Sequence, residues 1–151
     1  MAVGTDQDFA IFSRNHKSYL EEASRRKRDE WTTFRSNVRW VTARNAVKAN
    51  GPCKIYFAAI DDDGMVNYEA ELVHVQIDPR ASSAETRRLL LKTLKSTTKE
   101  KLWDNAVRTL YVIANCKRLD KSLPQTKLRK LNDNSPLDKN YIRSYALVHP
   151  V

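Results

Sequence analysis

The sequence predicts an α+β domain built on a small curved β-sheet or barrel of about five or six strands flanked by helices. Three observations predict it. Apolar segments of strand length alternate with segments whose apolar residues follow helical spacing. A long β-hairpin lies near the middle of the chain, and its apolar face changes side partway along one strand. The length, 151 residues, suits one domain spanning 1–151.

The first elements are a buried strand and two helical segments. Residues 8–13 are short, apolar and aromatic, which is typical of a buried strand. Asn15 is a candidate N-cap for a helix from His16 to about Arg26. Apolar residues then recur three or four apart, at Trp31, Phe34, Val38 and Val41. This spacing predicts a second helical stretch, ending near Asn50-Gly51-Pro52.

The hairpin is predicted from residues 54–60, a turn at 61–64 and a returning strand at 65–77. Along the returning strand the apolar positions change parity between Leu72 and Val73. A β-bulge there would restore the pattern and bend the sheet, as in small barrels.

The remaining elements are shorter. Ser82-x-x-Glu85 has the form of a capping box at the start of a helix. Residues 110–114 predict a strand, 126–131 a helical turn and 142–148 a closing strand.

The charge distribution favours a nucleic-acid partner. The chain has 27 Lys and Arg against 18 Asp and Glu, a net charge of +9. Basic segments at 14–48 and 79–131 flank an acidic hairpin at 60–78, which directs the positive field to part of the surface. The alternative is that these charges are simply solvated helix faces. The predicted phosphate-binding residues are Arg25, Arg26, Lys27, Arg28, Arg35, Arg87 and Arg88.

Several classes of chemistry lack support. Three glycines cannot form a phosphate-cradling loop, and three widely separated histidines lack metal-ligand spacing, so we expect no cofactor, no metal and no catalytic residue. Glu69 and Glu71 suggest a nuclease site only weakly, because no lysine stands close to them in the sequence. No apolar run is long enough to cross a membrane. The two cysteines suit buried free thiols in a reducing compartment, so we expect a cytoplasmic protein.

Trp40 is the aromatic residue that best fits a base pocket. It stands outside the apolar stripe of its predicted helix, close to Arg39, Arg44 and Asn45. Aromatic rings stack on bases, and Arg and Asn hydrogen-bond base edges or phosphates. The alternative, a tryptophan packed beneath a helix, has equal weight.

Residues 34–45 (FRSNVRWVTARN) and the order of elements resemble the EVE domain of the PUA-like superfamily. Arg39, Ala43, Arg44 and Asn45 stand at positions of the family's Arg-Asn-Tyr-x-Ala-Arg-Asn-like run, and Ser13 stands at the end of the first strand. The central hairpin with its Asp78-Pro79 exit and the closing strand also match. Trp40 and Val41 replace the family's Asn-Tyr pair.

The resemblance implies a DNA-binding module that flips a modified base, 5-methylcytosine or a relative, out of double-stranded DNA. The implied base pocket comprises Ser13, Arg39, Trp40, Arg44, Asn45 and Tyr56. Such domains are often joined to restriction nucleases, so the resemblance implies either a free-standing reader or the specificity module of a modification-dependent restriction enzyme, the latter with a fused or associated nuclease as partner. Two alternatives remain open: an RNA-binding domain that reads a modified or single-stranded base, and a nuclease or nucleic-acid modifying enzyme.

Overall fold

A computed structural model describes residues 7–60, 64–93, 107–138 and 145–151. The helices are α1 (Lys17–Ser24), α2 (Val41–Asn50) and α3 (Ala84–Thr93). The strands are β1 (Ala10–Asn15), β2 (Thr32–Ser36), β3 (Cys53–Ala59), β4 (Met65–Ile77), β5 (Thr109–Pro124) and β6 (Tyr145–Val148). The predicted α+β class is therefore confirmed.

Within the described residues the strands form one curled half-barrel sheet in the order β2-β5-β4-β3-β1-β6. β1 and β3 run parallel, and the other neighbours are antiparallel. The pairing of β4 with β5 shifts register at three places, one of them between Leu72 and His74. Each shift adds local twist and bends the strands, so the long β4–β5 ribbon curls the sheet.

Alternation along the strands divides the core between the two faces of the sheet. Ile11, Ile55 and Phe57 belong to a cluster that also contains buried residues of α1 and α2. Phe12 and Tyr56, one residue away, belong to the opposite cluster, which is covered by Leu128 and Leu137. A third cluster places Leu90 of α3 against β5 at Leu110 and Val112.

The central hairpin matches its prediction closely. β3 and β4 pair in antiparallel fashion, and the register shift after Leu72 confirms the predicted bulge. The turn positions 61–63 lie outside the described residues, as do positions 142–144 of the predicted closing strand. The helical turn predicted at 126–131 is a shorter 3-10 turn, Gln125–Lys127.

Three local predictions were wrong. Asn15 is the last residue of β1 and does not cap α1, whose N-cap is His16 without a side-chain capping hydrogen bond. The helical stretch expected from Trp31 begins only at Val41, and Phe34 lies in β2, where it pairs with Tyr111 of β5. Strand pairing with a distant segment overrides the local spacing here. The cap of α3 is Ser83 and not Ser82, because the Ser83 hydroxyl oxygen accepts a hydrogen bond from the Thr86 N–H at 3.1 Å.

The two cysteines, Cys53 and Cys116, are buried and unbridged, as predicted. In the part of the chain that the structure describes, no helix is long and apolar enough to cross a bilayer.

Candidate nucleic-acid interface

A cleft of about 530 Å³ opens where β1 ends and α1 begins. This volume lies within the range of roughly 300–1,000 Å³ that is usual for small-molecule sites. The polar lining residues are Arg14, Asn15, His16, Arg35, Ser36 and Asn37, and the apolar or aromatic ones are Tyr19, Phe34, Ile60 and Val107. The cleft therefore forms between the ends of β1, β2 and β3.

Asn15 is the fixed polar group of the cleft. Its side-chain Nδ2 donates to the Tyr111 hydroxyl at 3.0 Å, and its Oδ1 accepts from the His16 backbone N–H at 2.8 Å. Burial raises the pKa of Tyr111, and hydrogen bonds from Asn15 and Ser13 offset this only partly. The Tyr111 hydroxyl therefore stays protonated at neutral pH and holds the Asn15 amide in one orientation.

Aromatic side chains are part of the cleft lining. The His16 and Tyr19 rings meet edge to face at 5.1 Å with an interplanar angle of 79°. Phe34 is 5% exposed and packs edge-on against Phe57 and Tyr111. These contacts fix the planar surfaces before any ligand arrives, which lowers the entropic cost of binding.

The charge of the cleft favours an anionic ligand. Arg14 and Arg35 line it from β1 and β2, and none of the described lining residues is an Asp or Glu. Guanidinium groups bind phosphate through parallel N–H donors, and two of them beside aromatic rings suit a nucleotide.

Trp40 lies in the core, not in the cleft. Its side chain is 1% exposed and stacks against Tyr111 at 4.1 Å and Tyr145 at 4.8 Å between ring centroids. Its backbone N–H donates to the Thr109 hydroxyl at 3.1 Å. Because two tyrosines already stack on the indole, a base could stack there only after one of them moved away.

The other residues of the implied pocket do not converge on one point. Ser13 is buried and hydrogen-bonds to Tyr111, and it is not among the described lining residues of the cleft. Tyr56 lies on the opposite face of the sheet, and its hydroxyl accepts a hydrogen bond from the Val151 N–H at 2.9 Å. Arg44 is partly exposed and Asn45 is exposed on α2, and the Arg44 Nε donates a hydrogen bond to Asn45 Oδ1 at 3.2 Å.

Arg39 binds a carboxylate of its own chain. Its Nε and Nη2 donate to Asp78 Oδ1 and Oδ2 at 3.1 and 2.7 Å. This bidentate pair ties the segment before Trp40 to the end of β4, so Arg39 acts as a positioning residue.

The predicted phosphate-binding residues are divided among separate surfaces. Arg25, Arg26 and Arg28 form ion pairs with Glu21, Glu22 and Asp29, respectively, and Arg26 Nη2 is 3.2 Å from Glu22 Oε1. Lys27 lies between them in the exposed segment after α1. Arg87 and Arg88 are exposed on α3, and Arg35 lines the cleft. Arg35 is therefore the only member of this predicted set in the described lining of the cleft.

The expectation that no lysine stands close to Glu69 was wrong. Lys54 Nζ and Lys117 Nζ lie 3.3 and 3.1 Å from the Glu69 carboxylate, so two lysines that are distant in sequence flank it. Glu71 accepts a hydrogen bond from Asn115 at 3.1 Å. Glu69 and Glu71 both line a second cleft, of about 510 Å³. Among the described residues, no group of three His, Cys, Asp or Glu is arranged to hold a metal ion.

Sequence reasoning missed most of the cleft. Arg14, His16 and Tyr19 were not chosen, and Asn15 was interpreted only as a helix cap. The available signal was the polar run Arg14-Asn15-His16 directly after a buried strand, because strand ends in α/β arrangements are common ligand positions.

Comparison with known proteins gives a likeness of fold. A solved structure of the YTH domain of the Zygosaccharomyces rouxii MRB1 protein, in complex with N6-methyladenosine RNA, matches with a TM-score of 0.55 and 11% identity. The match covers 99% of this chain and 84% of the YTH chain. No family model matches the chain, and no curated protein matches it. The EVE resemblance therefore stays a prediction.

Proposed function

We propose that this chain binds RNA and inserts one modified base into the cleft at the end of β1. The observation that carries the proposal is the composition of that cleft, in which a fixed amide, aromatic surfaces and two arginines stand together. A base needs planar contacts and a few oriented polar groups, and its phosphates need cations.

The fold supports RNA over the expected DNA. The YTH domain whose fold resembles this one was solved with RNA carrying N6-methyladenosine. The rival hypothesis is a specificity module of a restriction enzyme that reads 5-methylcytosine in double-stranded DNA, and the binding experiment described below distinguishes the two.

Each part of the cleft has a distinct role in this proposal. Arg14 and Arg35 bind phosphates and supply affinity that carries no base information. Asn15 presents its second amide hydrogen toward a base edge, because the first is engaged by Tyr111. Tyr19 provides planar surface for the base, and the buried Phe34 ring contributes to the apolar lining.

A binding panel tests the proposal. Matched RNA and DNA oligonucleotides, with and without N6-methyladenosine or 5-methylcytosine, are titrated against the parent chain. We expect tighter binding to modified RNA than to unmodified RNA and to every DNA. Tightest binding to 5-methylcytosine DNA would support the rival reader, and indifference to modification would contradict both.

A blocking variant locates the site. Asn37 is exposed and lines the cleft, so Asn37→Trp should fill it and lower the affinity for modified RNA roughly tenfold or more, about 1.4 kcal/mol. Asn132→Trp is the matched control, since Asn132 is exposed in the C-terminal segment near Leu128 and Leu137. Equal losses in the two variants would place the base elsewhere.

A further inference from the structure

The cleft adjoins a second concavity. That concavity is a shallow groove of about 500 Å³ at the start of α1, bordered by His16, Lys17, Ser18, Glu21 and Ile60. His16 and Ile60 also line the cleft, and they are the described residues that the two concavities share. We call the boundary between the two concavities, where Ile60 and His16 lie, the Ile60–His16 ridge.

Ile60 is exposed at a place where its backbone is held. Its side chain is 50% exposed, although most large apolar side chains among the described residues are buried. Its backbone N–H donates to the Asn15 carbonyl oxygen at 2.9 Å, which fixes it beside the cleft floor. Single exposed apolar residues are common. Ile60 differs from them because it lies between two concavities of nucleotide size.

We propose that the Ile60–His16 ridge splays two consecutive nucleotides, with the read base in the cleft and a flanking base in the groove. This inference rests on the proposed function. When a base leaves the stack, the face of its neighbour is exposed to water, and an apolar side chain inserted there covers it. Ile60 supplies the apolar surface, and the His16 ring supplies a planar one.

The charges of the groove favour a base over a phosphate as its occupant. Glu21 borders the groove, and its carboxylate, in an exposed ion pair with Arg25 at 3.9 Å, disfavours a phosphate placed beside it. Lys17 stands next to His16 at the ridge, where it can pair with the phosphate that links the two nucleotides. Ser18 and Glu21 offer hydrogen-bonding groups to the edge of a flanking base.

The test compares Ile60→Ala with Val151→Ala, a matched loss of exposed apolar surface at a C-terminal residue 62% exposed. Binding is measured on single-stranded RNA carrying N6-methyladenosine, and on the same RNA made abasic on one side or the other of that nucleotide. We expect Ile60→Ala to weaken binding of the intact RNA roughly three- to tenfold, and Val151→Ala to leave it unchanged.

The abasic oligonucleotides make the result specific to the ridge. An abasic site on the side that faces the groove should abolish the difference between Ile60→Ala and the parent, whereas one on the other side should preserve it. An equal loss on all three RNAs, or no loss on the intact RNA, overturns the ridge but leaves the proposed function intact if the parent still prefers modified RNA. A parent without that preference overturns both. Thermal melting of Ile60→Ala close to that of the parent shows that the losses do not come from unfolding.

Discussion

Replacing Trp40 with alanine tests whether this residue stabilises the core or stacks on a bound base. The side chain is 1% exposed, and its ring stacks against Tyr111 and Tyr145. Truncation of a buried tryptophan costs roughly 3–5 kcal/mol, which is a large part of a typical domain's stability of about 5–15 kcal/mol. For a domain of this size we expect the melting temperature to fall by roughly 6–20 °C.

Removal of the indole also removes an unpaired buried N–H group, which reduces the loss of stability, and a second variant measures this effect. The Trp40 indole Nε1 is buried without a hydrogen-bond partner, and such an orphaned donor costs about 1–3 kcal/mol. Trp40→Phe removes that donor and keeps an aromatic ring in the stack. We therefore expect Trp40→Phe to destabilise the domain much less than Trp40→Ala does.

The assay is thermal and urea denaturation followed by circular dichroism, with RNA binding measured on the same samples. Trp31→Ala is the matched control, since Trp31 is only partly buried against the third cluster and should cost less stability. The core assignment would be refuted by a Trp40→Ala variant that melts like the parent but loses its preference for modified RNA.

Three further outcomes are expected. Arg39→Ala breaks an exposed bidentate ion pair with Asp78, so the free energy of unfolding in urea titrations should fall by no more than about 1 kcal/mol. A larger loss would show that this pair fixes the segment before Trp40 more strongly than an exposed pair does. Burial raises the pKa of both the Cys53 and Cys116 thiols to about 12, so a thiol reagent at pH 8 should label neither in the native state and both in urea. Burial lowers the pKa of His74, so the unfolded chain binds more protons than the folded chain near pH 6.5. The free energy of unfolding should therefore decrease as the pH falls through that value. In denaturation curves measured across pH, His74→Gln should show a smaller decrease.

Local patterns predicted the elements whose contacts are local. The β3–β4 hairpin follows from the alternation of neighbouring side chains and a glycine-containing turn. The bulge after Leu72 lies in the pairing of β4 with β5, and it was predicted from the change of parity along β4 itself. The assignment of Phe34 to a helix was wrong because its partner is Tyr111, more than seventy residues later, and spacing within a segment carries no information about such a partner.

The site was harder to predict than the fold, for a geometric reason. Ser13 pairs with Phe57, so Tyr56, one residue earlier, faces the other side of the sheet. A pocket proposed from residue types alone cannot distinguish these two positions. The lysines beside Glu69 were missed for the same reason, since Lys54 and Lys117 reach it from two neighbouring strands.

Titration of the isotopically labelled chain with free N6-methyladenosine nucleoside, followed by amide chemical shifts, tests most directly whether the cleft takes a base. The nucleoside carries no phosphate, so nonspecific attraction by the positive surface does not contribute. We predict saturable shifts at His16, Ser36, Asn37 and Ile60, without comparable shifts at Glu69 of the second cleft. Shifts confined to Glu69 and its neighbours, or no saturable shift at the cleft residues, would contradict the account.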